Sequence, residues 1–198
     1  MTPILFFDTE TTGLPDWKVP SDSEHQPHLV QLAAILADAD TRREIATLDL
    51  IIRPDGWEIP DEVADIHGIT TEHAQAVGVN EELAVMLFHE LWAGHRRVAH
   101  NRTFDQRIIR IAMKRYGFGE MPMEEWADKD AFDDTMLIAK PIMELPPKGK
   151  YGWKSPKLSE AYEHFIGKPL EDAHSAMADA RACMEVYWAL LDHQAKAA

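Results

Sequence analysis

Short apolar runs come first along the chain. Pro3-Ile-Leu-Phe-Phe7 is rich in β-formers and stops at Asp8-Thr-Glu-Thr-Thr-Gly13, which reads as a buried strand running out into a loop. Two further strand-like runs, 29–37 and 45–52, are separated by the polar, charge-rich stretch 38–44, so the first three strands are expected to form a meander. Pro54 and Gly56 close this section. The period then lengthens. Asp61-Glu62 opens a short turn that leads to Ile66-His-Gly-Ile-Thr70, Asn80 caps an amphipathic helix over 81–92, and Gly94 ends it. A fourth strand is expected over 97–100 and a helix over 103–116, with Phe104, Ile108, Ile111 and Met113 at its apolar positions. A loop of mixed charge follows Gly117. The pattern over 134–142 is ambiguous, 158–166 reads as a compact helix and 175–194 as a long one. Strands first, then strands and helices interleaved, predict a mixed α/β or α+β architecture around one central sheet. No internal repeat and no low-complexity linker interrupts it.

Composition narrows the class. A chain of 198 residues, 45% of them hydrophobic, has the apolar supply for one sizeable core, so a single domain over 1–198 is the expectation. The lone Cys183 excludes a disulfide framework and a cysteine-rich zinc site and fits a reducing, cytoplasmic home. The N-terminus carries no basic segment or small-residue cleavage site, and no apolar run approaches the about 18 to 20 residues of a membrane span. A soluble protein without a membrane partner is expected.

Charge adds a contrast. The net charge of −14 argues against broad binding to duplex nucleic acid, which draws on many phosphate contacts. Yet 94–115 holds Arg96, Arg97, Arg102, Arg107, Arg110, Lys114 and Arg115 against one acid, Asp105, and 145–158 holds Lys148, Lys150, Lys154 and Lys157 against none. Positive charge is focused in two short stretches.

Candidate chemistry begins with Asp8 and Glu10. Two apart at a strand end, they point to the same side, where mutual repulsion and partial burial are unfavourable unless a cation offsets them. An isolated D-x-E also fits a solvated strand end. Asp105 falls just inside a helix start, where an acid also suits the helix dipole, and Asp179 falls four residues after Ser175, a good N-cap. His174, five residues before Asp179, lies on the other side of any continuous helix and works only from the preceding loop. Its unperturbed pKa suits proton abstraction near neutral pH.

Three segments occur in order: Asp-Thr-Glu-Thr-Thr-Gly-Leu at 8–14, His-Asn-Arg-Thr-Phe-Asp at 100–105 and His-Ser-Ala-Met-Ala-Asp-Ala at 174–180. Together they resemble the three exonuclease motifs of the DnaQ-like, DEDDh family of 3′-to-5′ exonucleases. Ile66-His-Gly-Ile-Thr70 is similar to that family's substrate-side segment between the first two motifs. One departure is Ser175, where the third motif often carries a charged residue.

The resemblance implies a ribonuclease H-like α/β fold, with a central mixed five-stranded sheet, its first three strands antiparallel, flanked by helices. It implies Asp8, Glu10, Asp105 and Asp179 as metal-binding acids and His174 as general base. Thr11, Thr12, Leu14, His67, Asn101 and Phe104 match positions that hold the terminal nucleotide. Thr12 also reads as a turn cap, Leu14 and Phe104 as core, and Asn101 as a loop-shaping residue. An all-oxygen acid set suits two divalent ions, Mg²⁺ or Mn²⁺, in hydrolysis that releases nucleoside 5′-monophosphates.

The implied partner is the 3′ end of single-stranded or frayed DNA, or of RNA if the enzyme is a trimming exoribonuclease. A polymerase or repair protein is a further implied partner, and oligomeric state is not readable. The 19 residues after Asp179 are too few for a long polymerase tether. A catalytically silent nucleic-acid or polymerase-binding module, or a structural metal domain, would need neither the full acid set nor a loop histidine. The segment Pro147-Lys-Gly-Lys-Tyr-Gly-Trp-Lys-Ser-Pro-Lys157 mixes cations with Tyr151 and Trp153. It reads equally as a single-strand contact or as a solvated loop.

Overall fold

A computed structural model describes residues 1–150, 152–171 and 173–197, with the side chains of residues 120, 121 and 197 left aside. At its centre lies a five-stranded sheet in the order β3-β2-β1-β4-β5. The strands are β1 (Pro3–Thr11), β2 (Leu29–Asp38), β3 (Glu44–Ile51), β4 (Arg96–Ala99) and β5 (Phe132–Asp134). The first three pair antiparallel, as the meander predicts, while β4 and β5 add parallel to β1. Every position of β2 is buried, which accounts for its unbroken apolar run, whereas the edge strand β3 stays half exposed.

Helices cover both faces. On one, Leu5 and Phe7 of β1 pack with α3 (Glu81–Trp92) and α4 (Arg102–Arg115). On the other, Ile4 and Phe6 pack with α8 (Ala176–Ala197). The remaining helices are α1 (Asp61–His67), α2 (Thr71–Val77), α5 (Glu120–Ala127), α6 (Thr135–Met143) and α7 (Leu158–Ile166). Among the described residues no helix is long and apolar enough to cross a membrane.

Three expectations change. The strand expected to end near Phe7 continues through Thr11, because Asp8, Thr9 and Glu10 keep their pairing to Ala33, Leu32 and Gln31 of β2. The mixed-charge loop after Gly117 contains α5. Pro122 sits in its first turn, where a missing N–H is tolerated, and Trp126 is fully buried against Phe7, Phe88 and Trp92. The ambiguous stretch after 134 is α6, capped by the Asp134 carboxylate accepting from the N–H groups of Met136 and Leu137 at 3.0 and 3.4 Å.

The basic cluster over 94–115 also proves different from its composition. Arg97 is fully buried, its guanidinium 4.2 Å from the Trp126 ring centre and 4.9 Å from that of Trp92, and it donates to the carbonyls of Trp126 and Asp128. Arg96 pairs with Asp133, Lys114 with Asp22 and Arg115 with Glu81. Arg102 donates to the carbonyl of Phe132, and Arg107 to those of Asp16 and Val19. Six of the seven cations in this stretch are therefore bonded within the protein.

Candidate active site

β4 pairs with β1 only as far as Phe6 and Val98, then ends at Ala99 while β1 runs on to Thr11. The freed edge of β1 opens into a cleft of about 420 Å³ beyond the carboxyl ends of two parallel strands, a usual place for a site in such sheets. Strand alternation puts Asp8 and Glu10 on the face of Ile4 and Phe6, toward α8. Thr9, between them, faces α4. Its main-chain N–H and its hydroxyl donate to Oδ1 of Asp105 at 3.1 and 2.8 Å. One tripeptide thus presents two acids to one helix and holds the third acid on another.

Asp105 reaches this position because Asn101 turns the chain in the left-handed region, with φ of 62°, directly after β4. The Asp134 carboxylate fixes that turn by accepting from the N–H groups of Asn101 and Arg102, both at 3.1 Å. Asp179 arrives in the first turns of α8, its N–H donating to the Ser175 carbonyl at 2.9 Å. His174, at φ of 72° on the loop before α8, donates its N–H to Asp179 Oδ2 at 3.2 Å. Left-handed backbone at a non-glycine residue is held there by about 1 kcal/mol or more of surrounding interactions.

Electrostatics set this group apart. Burial pushes the Glu10 carboxyl up to about 8, helped by Asp179 and Asp105, and Asp105 up to about 7. Asp8 is raised well above the carboxylate range by burial and then by Asp105, Asp179 and Glu10, and Asp179 is raised by burial. Asp179 Oδ1 is buried without a hydrogen-bond partner among the described residues. Ligand atoms of Glu10, His174 and Asp179 lie within 4.8 Å of one another. Hard oxygen donors raised in pKa, with no cationic side chain paired to them among the described residues, fit a divalent cation bound among them.

Residues of all three motifs line this cleft. The exonuclease family model, RNase_T, matches residues 5–187. The chain belongs to the exonuclease family. A DNA polymerase III subunit epsilon of Treponema pallidum (strain Nichols) is 27% identical over 193 residues, covering 96% of this chain and 77% of the relative. An uncharacterized exonuclease, CP81, of Escherichia phage 186 is 30% identical over 189 residues, covering 94% and 87%. A crystal structure of E. coli exonuclease I with a dT13 oligonucleotide superposes with a TM-score of 0.73 at 24% identity, covering 96% of this chain and 41% of that one. The chain thus spans about four-tenths of exonuclease I. These likenesses make it a DnaQ-like exonuclease of the ribonuclease H-like superfamily.

Within this exonuclease the expected residues separate: seven line the cleft, two line a neighbouring hollow, and Thr11 and His67 line neither. Asp8, Glu10, Asp105, His174 and Asp179 line the cleft together with Asn101 and Phe104. Thr12 and Leu14 line a neighbouring hollow with His25 and His28. The Thr12 hydroxyl accepts from the His28 N–H at 3.0 Å, and the Thr11 hydroxyl donates to the Gly13 carbonyl at 2.8 Å. Leu14 is 83% exposed, so it is not core. His67 has its pKa lowered by burial and then by His174, and its buried Nε2 has no partner.

Sequence reasoning missed Thr9, Asp134 and His100. The signal for Asp134 was present, an Asp immediately before the helix 135–143. His100 Nδ1 pairs with the Thr135 hydroxyl at 2.9 Å and Nε2 with the Pro156 carbonyl at 3.0 Å, contacts to which no local pattern points.

Proposed function

We propose that this exonuclease, as one domain, removes nucleoside 5′-monophosphates from the 3′ ends of single-stranded or frayed DNA. The observation that carries the reading is the convergence of Asp8, Glu10, Asp105 and Asp179, without a cationic side chain paired to them among the described residues, around a cleft that also holds His174. Asp8, Glu10, Asp105 and Asp179 would hold two divalent ions, Mg²⁺ or Mn²⁺. Bound there, such ions supply activation of the attacking water and stabilisation of the leaving 3′ oxygen.

The protein's own groups do the rest. Thr9 keeps Asp105 oriented, and the His174 N–H keeps Asp179 oriented. The His174 imidazole, exposed on its loop, takes a proton from the attacking water. Asn101 and Phe104 flank the terminal nucleotide from the α4 side, while Thr11, Thr12, Leu14 and His67 approach it from the end of β1 and from α1. The DNA reading draws support from the dT13 strand in the exonuclease I structure, and a polymerase partner from the polymerase-subunit name of the Treponema relative. The buried Cys183, free of a disulfide, agrees with work in the cytoplasm.

The test uses Mg²⁺ and matched 5′-labelled DNA and RNA oligonucleotides of one sequence. DNA shortened one nucleotide at a time, with RNA cut more slowly, is the expected result. His174→Ala should slow turnover at least about a hundredfold without a change in melting temperature. Undiminished turnover at saturating Mg²⁺ would remove His174 from the base role.

A further inference from the structure

Three residues of the second basic stretch, Ser155, Pro156 and Lys157, line the same cleft as the acids. Residues 146–150 of this stretch are exposed, and a few backbone hydrogen bonds tie its described residues together. Gly149 and Gly152 exchange backbone hydrogen bonds at 2.9 and 3.1 Å, and the Lys154 N–H donates to the Leu145 carbonyl at 3.0 Å. Its far end is pinned to the motif segment by the His100 Nε2 contact to Pro156, while the Lys157 N–H donates to Glu160 at the start of α7. Tyr151 lies outside the described residues. The Trp153 ring is covered by the Lys148 ammonium, 4.7 Å from its centre. One face of Trp153 is therefore taken by this cation.

The two basic stretches differ in what their charges face. Arg96, Arg97, Arg102, Arg107 and Arg115 of the first stretch are bonded to carbonyls and carboxylates of the protein itself. Lys157 is exposed at the rim of an acidic cleft, and Lys154, paired with Glu160, stands three residues before it. A polyanionic strand entering a cleft of carboxylates gains from cations placed along its path rather than at its end.

Resting on the exonuclease reading above, we propose that residues 152–157 form a binding wall for the sugar-phosphate backbone of the single strand. In it, Lys157 contacts a phosphate upstream of the bond that is cut, and His100 acts as the positioning residue that sets the wall against the cleft. Recognition is of phosphate, so it is independent of base.

The experiment compares the wild type, Lys157→Ala and Lys157→Arg on two substrates. One is an oligothymidylate, and the other is the p-nitrophenyl ester of thymidine 5′-monophosphate, which has one phosphodiester and no upstream strand. Lys157→Ala should raise KM for the oligonucleotide about tenfold, as loss of one charge-assisted contact would. It should lower kcat far less, and KM for the small ester should stay near wild type. Across a salt series the slope of log affinity for the oligonucleotide should become shallower by about 0.7, and Lys157→Arg should restore it. An unchanged oligonucleotide KM and salt slope would overturn the proposal, as would an equal rise in KM for the small ester. Failure of the exonuclease reading looks different, since the wild type would then cut neither substrate.

Discussion

Glu81 and the group Asp8, Glu10, Asp105 and Asp179 are carboxylates taken out of water at two places in one protein, with opposite consequences. The Glu81 side chain is 2% exposed and meets Arg115 at 3.0 Å, His28 Nδ1 at 2.8 Å, the Tyr116 hydroxyl at 2.8 Å and the Leu29 N–H at 2.9 Å. Burial pushes its pKa up, but His28, Arg115 and Leu29 more than offset this and hold it below the ordinary value. Arg115 in turn donates to the carbonyls of Gln26 and Pro27, so the network fastens the loop before β2 to α3 and α4. In the cleft, Thr9 and main-chain N–H groups are the principal donors, and every acid is raised. A partnered buried charge builds structure. An unpartnered cluster opposes folding and marks a place kept for a ligand.

The largest effect expected from breaking this contrast is on chemistry. Asp8→Asn should reduce hydrolysis at least about a thousandfold, roughly 4 kcal/mol of barrier, while melting of the metal-free protein holds steady or improves because a repelling carboxylate is gone. A clear loss of metal-free stability would erase the distinction between the two sites. Glu81→Ala should act in reverse. It strands Arg115 and is expected to lower unfolding free energy by about 3 to 5 kcal/mol in urea, with turnover per folded molecule close to wild type.

A smaller effect ties metal to pH. Mg²⁺ at a hundred times its dissociation constant should stabilise the wild type by about 2.7 kcal/mol and Asp8→Asn by much less. Without metal, Glu10 near 8 and Asp105 near 7 keep protons in the folded state that the unfolded chain has released. Their contribution to stability is thus present at low pH and is lost as pH rises from about 5 through 8. Glu81, depressed when folded, contributes above its unfolded pKa and loses that contribution as pH falls below about 4.5. Denaturation curves at pH 5 and pH 8, with Mg²⁺ and with chelator, should show the upper slope only in chelator.

Much of the frame was legible from local pattern. The meander, the helix 81–92 with its Asn80 cap and the helix 158–166 follow from periodicity and capping, which depend on neighbours a few residues away. Trp126 was read as part of a loop because one aromatic in an acidic, Met-containing stretch has no period. Its helix exists because the core at Phe7, Phe88 and Trp92 has room for that ring.

The site divides in the same way. Asp8 and Glu10 share a face because strand side chains alternate, and that much the sequence determined by itself, as it determined that His174 lies on a loop before the last helix. Only the tertiary structure decided that Asp105 on α4 and Asp179 on α8, from helices on opposite faces of the sheet, meet at the freed edge of β1. It also decided that Arg97 turns inward while Ser155, Pro156 and Lys157 line the cleft. The physical reason is range. Alternation and capping are local, whereas the bond from Thr9 to Asp105 joins residues 96 apart, and the partner of a charge depends on which distant carbonyl, ring or carboxylate the fold brings beside it.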